Sequence, residues 1–265
     1  MEDQDSFEED INRLEKKDYD SVVATVLNIE NILKEQTDTQ NKLETIYHLG
    51  IDLLCVCFKH IHIKKLPTQA IKVFSTQFTK LIENNNFTLS NFRTLVPNVY
   101  HISHHSLNVG IFSCLIGSKL NIYGKELSNL FLAGLLHDIG QYKIDESIIN
   151  KKGKLTQAEI TILQNHPYES VQHLIKNAIN DQDILSSIRY HHERLDGSGY
   201  PQGLKQYSIS VGGQILAISD VFDALITKKS YRNEYSTFKA LMMIKKNMGK
   251  QFNLKYVDIL IKLLK

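Results

Sequence analysis

From Ser21 to about Asn86 apolar residues recur in steps of three and four: Leu43, Ile46, Leu49, Leu53 and Leu54, then Val73, Phe74, Phe78 and Leu81. That period predicts a run of amphipathic helices. The run Asn84-Asn85-Asn86 breaks it and marks an expected boundary, with a helical unit over 1–88 and a second over 89–265. Beyond the break five further helical segments are expected. The first covers about His101 to Leu120, where His105, Val109, Phe112 and Ile116 form one stripe and His104, Leu107, Ile111 and Leu115 another. Periodicity alone does not choose between the two histidines. The second, LSNLFLAGLLHDIG, is apolar almost throughout and ends in His137-Asp138, with Gly140 suited to a C-terminal cap. The third opens on a capping box, Thr156 with Glu159, and stops at His166-Pro167, because the residue before proline avoids helical dihedrals. The fourth starts near Asp183 and leads through Ile184, Leu185 and Ile188 to His191 and His192. The fifth, GGQILAISDVFDALIT, places Asp220 and Asp223 on an otherwise apolar helix.

The composition supports an all-α globular chain. Hydrophobic residues make up 42% of 265, and there are only four prolines and 13 glycines, too few for a many-turned β-sandwich. A formal net charge of +2 gives no field that would hold a nucleic-acid polymer or a membrane surface. Three cysteines cannot build a disulfide framework. The acidic first 20 residues lack the apolar core of a signal peptide, and no apolar run approaches the ~20 residues of a spanning helix. Reduced thiols and a cytoplasmic location are the expectation.

Candidate chemistry is concentrated. Eight of the 11 histidines lie between residues 101 and 192, whereas His48, His60 and His62 have no partner at ligand spacing and are expected to be structural. An imidazole and a carboxylate at the end of a buried helix are costly unless paired or bound to a cation. Five segments deliver His or Asp to inward positions, and the neighbours His191 and His192 lie about 100° apart on a helix, which suits two metal ions better than one. Of Asp220 and Asp223, one is expected to meet a cation. Mixed imidazole and carboxylate donors without thiolate suit Fe, Mn, Zn, Co or Ni, and paired ions suit phosphate-ester hydrolysis.

With His137-Asp138-Ile139-Gly140 followed by His191-His192-Glu193-Arg194-Leu195-Asp196-Gly197-Ser198-Gly199-Tyr200-Pro201, the chain resembles the HD-GYP family of cyclic-dinucleotide phosphodiesterases. The resemblance spans roughly residues 90–250. It implies an all-α bundle with two divalent metals, Fe or Mn favoured, held by His105, His137, Asp138, His166, His191, His192 and Asp220. It further implies hydrolysis of cyclic di-GMP to linear pGpG or GMP by a metal-bridging hydroxide, with Asp138 bridging the metals. Lys229 and Arg232 match the family's substrate-gripping basic pair, and Gly199, Tyr200 and Pro201 should border the cleft and offer a docking point for a partner protein. Residues 1–88, outside the resemblance, are expected to regulate or to form a homodimer. Three positions depart from the family. His101 stands where members with a third metal carry Glu, so a third ion is not expected. Gln141 replaces a lysine expected near the attacked phosphate, and Lys229 replaces an arginine, keeping charge but losing the bidentate fork. Glu193 and Asp196 are expected either to orient His191 or His192 or to be solvated. The alternative function is a weakly active or inactive receptor for the same nucleotide.

Overall fold

The computed structural model describes residues 17–92, 95, 101–149, 151, 153–228 and 233–264. Among them there is no strand, and an isolated bridge joins Asp196 and Lys205. The first helices are α1 (Tyr19–Leu27), α2 (Ile29–Lys34), α3 (Thr39–Lys59), α4 (Thr68–Glu83) and the short α5 (Leu89–Phe92). Next come α6 (Ile102–Lys119), α7 (Gly124–Leu136), a 3-10 turn over Ile139–Lys143, α8 (Glu146–Ile149), α9 (Gln157–Gln164), α10 (His166–Lys176) and α11 (Gln182–Arg189). After a long loop follow α12 (Val211–Ile226), α13 (Thr237–Asn247) and α14 (Leu254–Lys262). Helix starts follow local chemistry. Asp18 and Asp38 accept the N–H of Ser21 and Asn41, and Thr156 with Glu159 forms the expected capping box. Asn84 closes α4 where the asparagine run begins.

Helix α6 is the axis of the molecule. Every residue from His105 to Gly117 is buried, the signature of a helix covered on all sides. Helix α7 crosses it where Gly110 meets Gly134: a Cβ on Gly134 would lie 2.5 Å from the Gly110 Cα, so only glycine permits this approach. Helices α3 and α4 complete the same core. The Phe78 and Phe131 rings stack at 4.2 Å, and Phe74 fills the space beside Gly50. Each such buried ring contributes ~1.5–3 kcal/mol from removal of apolar surface. One apolar cluster runs from Val22 to Leu263, so the boundary expected at residue 88 is not a division of the core. Among the described residues, no helix is long and apolar enough to cross a membrane. Cys55, Cys57 and Cys114 are all buried and form no disulfide among the described residues.

Candidate metal centre

The seven residues expected as ligands come together in two groups whose donor atoms lie within 4.8 Å of one another: Asp138, His166, His191 and His192 in one, and His105, His137 and Asp220 in the other. Periodicity left His104 and His105 open; the structure buries His105 in the cluster, while His104 faces His101 and stands outside it. His48, His60 and His62 belong to neither group. His101 caps α6 by accepting the N–H of Ser103 at 3.3 Å.

Backbone carbonyls fix the imidazoles. Nδ1–H of His137 donates to Gly134 O at 2.8 Å, that of His166 to Leu163 O at 2.7 Å, and that of His191 to Ile188 O at 2.6 Å. With the proton on Nδ1, each Nε2 turns a lone pair into the cluster. His137 Nε2 is buried without a hydrogen-bond partner, and the Nε2 atoms of His166 and His191 face each other at 3.3 Å. Two opposed lone pairs in a dry site require a cation or a proton between them. The residues present fit a metal.

A fourth imidazole is held by a carboxylate. His105 Nδ1 lies 2.7 Å from Asp223 Oδ2, while Asn108 Nδ2 donates to Asp223 Oδ1 at 2.9 Å, and the Tyr47 hydroxyl on α3 donates to Asn108 Oδ1 at 3.4 Å. This divides the two aspartates of α12: Asp220 enters the second donor group, and Asp223 orients the His105 ring. The Tyr47 link was not legible in the sequence, since nothing relates α3 to α6 before folding.

Asp138 spans the two groups. Its Oδ1 lies 3.1 Å from His166 Nε2 and 3.8 Å from His191 Nε2, and its Oδ2 lies 3.4 Å from His137 Nε2 and 3.6 Å from His105 Nε2. Asp220 does likewise, with Oδ1 3.4 Å from His105 Nε2 and Oδ2 3.7 Å from His192 Nδ1. Burial opposes the charged form of Asp138, yet His137 and His166 outweigh it and hold its pKa well below the usual range. For Asp220 the same opposition is overcome by His105 and His192. Burial drives His191 down to about 3, reinforced by His137 and His166, so its ring is neutral and available as a donor.

Three local expectations are corrected. Gly140 is not a left-handed cap: it sits in the 3-10 turn, where a Cβ would lie 2.3 Å from His166 O and 2.4 Å from Ser170 N. The turn and α10 are further joined by Ser170 Oγ, which accepts from Gly140 N at 2.8 Å and donates to His137 O at 2.7 Å. Helix α11 stops at Arg189, so His191 and His192 leave a turn rather than a helix, and the 100° separation no longer applies. Both therefore enter one group, their rings 4.0 Å apart. Glu193 orients neither histidine. It is buried and accepts the N–H groups of Gln202 at 2.7 Å and Leu204 at 2.9 Å, folding the loop over the site. Asp196 is exposed and accepts from Ser198.

That loop brings Tyr200 over His192, with ring centroids 4.6 Å apart; Gly199 packs against the backbone of residues 192–194, and Pro201 is exposed. Arg194 is occupied with the carbonyls of His191 and Glu193 and with the Phe252 ring. Gln141 follows the ligand pair in the 3-10 turn and is half-buried. Lys229 and Arg232 lie outside the described residues.

A helical bundle with buried histidine and aspartate donors in two facing groups defines a class of helical domains suited to hold metal ions. The chain belongs to the HD domain family, whose model matches residues 80–254. It is 34% identical over 150 residues to the cyclic di-GMP phosphodiesterase response regulator RpfG of Xanthomonas campestris, covering 56% of this chain and 39% of that protein. A cyclic di-GMP phosphodiesterase of Thermotoga maritima is 33% identical over 160 residues, with 60% and 44% covered. The 3'3'-cGAMP-specific phosphodiesterase 2 of Vibrio cholerae is 28% identical over 225 residues, with 80% and 43% covered. The chain thus spans about two fifths of the length of these relatives. Among solved structures, Bd1817, a HDG"Y"P protein from Bdellovibrio bacteriovorus, superposes with a TM-score of 0.71 at 21% identity, over 89% of this chain and 76% of that one, and shares its fold.

Proposed function

We propose that the chain is a two-metal phosphodiesterase that hydrolyses cyclic di-GMP to pGpG or GMP. The observation that carries this is the Asp138 carboxylate, each oxygen of which faces a different group of imidazoles. The names of the relatives supply the substrate class. The metals, two per chain and Fe or Mn by donor type, would be held by His105, His137, Asp138, His166, His191, His192 and Asp220. Bound there, they supply Lewis-acid stabilisation of phosphate charge and lower the pKa of water toward ~7.

The chain's own groups do the rest. Carbonyl acceptors keep His137, His166 and His191, and Asp223 keeps His105, in the donor tautomer. Gln141 can donate an amide hydrogen to a phosphate oxygen, and Lys229 and Arg232 supply the cationic grip on the substrate. Gly199, Tyr200 and Pro201 wall the cleft, and the exposed Pro201 offers the docking point for a partner protein. A second substrate, 3'3'-cGAMP, is favoured by the relative whose match covers most of this chain.

The test is incubation of metal-loaded protein with each cyclic dinucleotide and chromatography of the products. Linear dinucleotide or mononucleotide should form, and Asp138→Ala should abolish it. Tight binding of either nucleotide without product would instead establish a receptor.

A further inference from the structure

Away from the His/Asp cluster, α4, the start of α7 and the turn into α11 enclose a cavity of about 560 Å³. Its volume lies within the ~300–1,000 Å³ range of small-molecule sites. The floor is apolar, formed by buried Leu132, Ile179 and Ile184. The walls carry Lys72, Lys80 and Lys125 against only two carboxylates, Glu83 and Asp181.

Both carboxylates are already engaged. Glu83 accepts the N–H of Gly124 at 2.5 Å. Asp181 accepts from Asp183 N at 3.1 Å, capping α11, and lies 3.3 Å from Lys125 Nζ. Lys72 and Lys80 form no salt bridge among the described residues. Three ammonium groups thus face two carboxylates, so the cavity carries one net positive charge above an apolar floor, with Lys80 also in the field of Glu30.

We propose that this cavity is a second ligand site, which takes a phosphate monoester of nucleotide size and modulates the metal centre. The ammonium groups match the phosphate, and the Leu132–Ile179–Ile184 floor matches a flat organic body. Coupling is built into the connectivity. Helix α7 runs from the cavity to His137-Asp138 and α11 from the cavity to His191-His192, so both ligand pairs hang from helices whose first turns line it. Leu132 in the cavity floor stands five residues before His137, about 7.5 Å along α7, so a shift of the floor reaches that ligand pair within two helical turns. An occupant changes the centre only as far as it prefers one arrangement of these two helices.

The test is calorimetric titration of the metal-loaded full chain with GMP. Lys72, Lys80 and Thr76 are exposed, so Lys72→Ala/Lys80→Ala and the cavity-filling Thr76→Trp should fold normally. Both variants should weaken GMP binding at least tenfold, while Asp138→Ala should retain it. GMP binding that is absent, equal in wild type and both cavity variants, or removed only by Asp138→Ala overturns the proposal. Inorganic phosphate binding as tightly as GMP overturns the assignment of nucleotide size. The readout is binding, so it stands apart from whether the chain hydrolyses cyclic di-GMP. In an active chain GMP should also change the turnover rate at least twofold, and that change should vanish in Thr76→Trp.

Discussion

Replacing Gly140 by Ala places a methyl group where the 3-10 turn and α10 touch backbone to backbone. The new Cβ would sit 2.3 Å from His166 O, 2.4 Å from Ser170 N and 2.8 Å from Ser170 Oγ, whereas ordinary contact begins near 3.4 Å. Two of the three obstacles are main-chain atoms, which cannot rotate away. The turn and α10 must separate by about 1 Å, and overpacking of this kind costs ~1–3 kcal/mol. At ~2–4 °C per kcal/mol for a chain of this size, Tm should fall by about 2–12 °C. The same displacement moves His166 away from Asp138, now 3.1 Å apart, so metal affinity should drop on the order of tenfold. The assay is thermal unfolding with metal competition against a chelator, with Gly153→Ala as control. Gly153 is exposed and a Cβ there meets nothing within 4 Å, so its variant should match wild type. Wild-type Tm and metal affinity for Gly140→Ala would refute the claim that this contact sets the ligand geometry.

Asp223→Asn leaves one acceptor where His105 and Asn108 each need one, and should lower metal affinity by ~10–100-fold, measured by chelator competition; unchanged affinity would remove Asp223 from the centre. Gln141→Lys should raise cyclic di-GMP turnover about tenfold, ~1.4 kcal/mol of transition-state stabilisation, by supplying charge opposite the phosphate; an equal or slower rate would show a site built around glutamine. A fragment beginning at Phe87 strips Phe74 and Phe78 from Phe131 and should lose cooperative unfolding in calorimetry. A fragment that folds and binds metal like the full chain would establish 89–265 as an autonomous unit.

Helix existence was legible because buried faces impose a period of three to four, and the capping box and the His-Pro joint fixed two ends. The residues that gather in the two donor groups were legible from motif order, because polar donors on apolar helices are costly without a partner. What was hidden depended on contacts between segments. His104 and His105 carry equivalent stripes, and only the packing of α12 against α6 selects His105. The role of Glu193 depends on a loop closing back nine residues later on Gln202. The polar break at Asn84–Asn86 ends a helix, yet says nothing of whether the helices on either side share a core, which Phe78 and Phe131 do.

Elemental analysis of the full chain prepared without oxygen, beside Asp138→Ala, tests the centre most directly. Two transition-metal ions per chain are predicted, with most of that metal lost from the variant, because Asp138 faces both groups of imidazoles. Fewer than one ion per chain with none taken up on reconstitution, or full metal content in Asp138→Ala, would contradict the account.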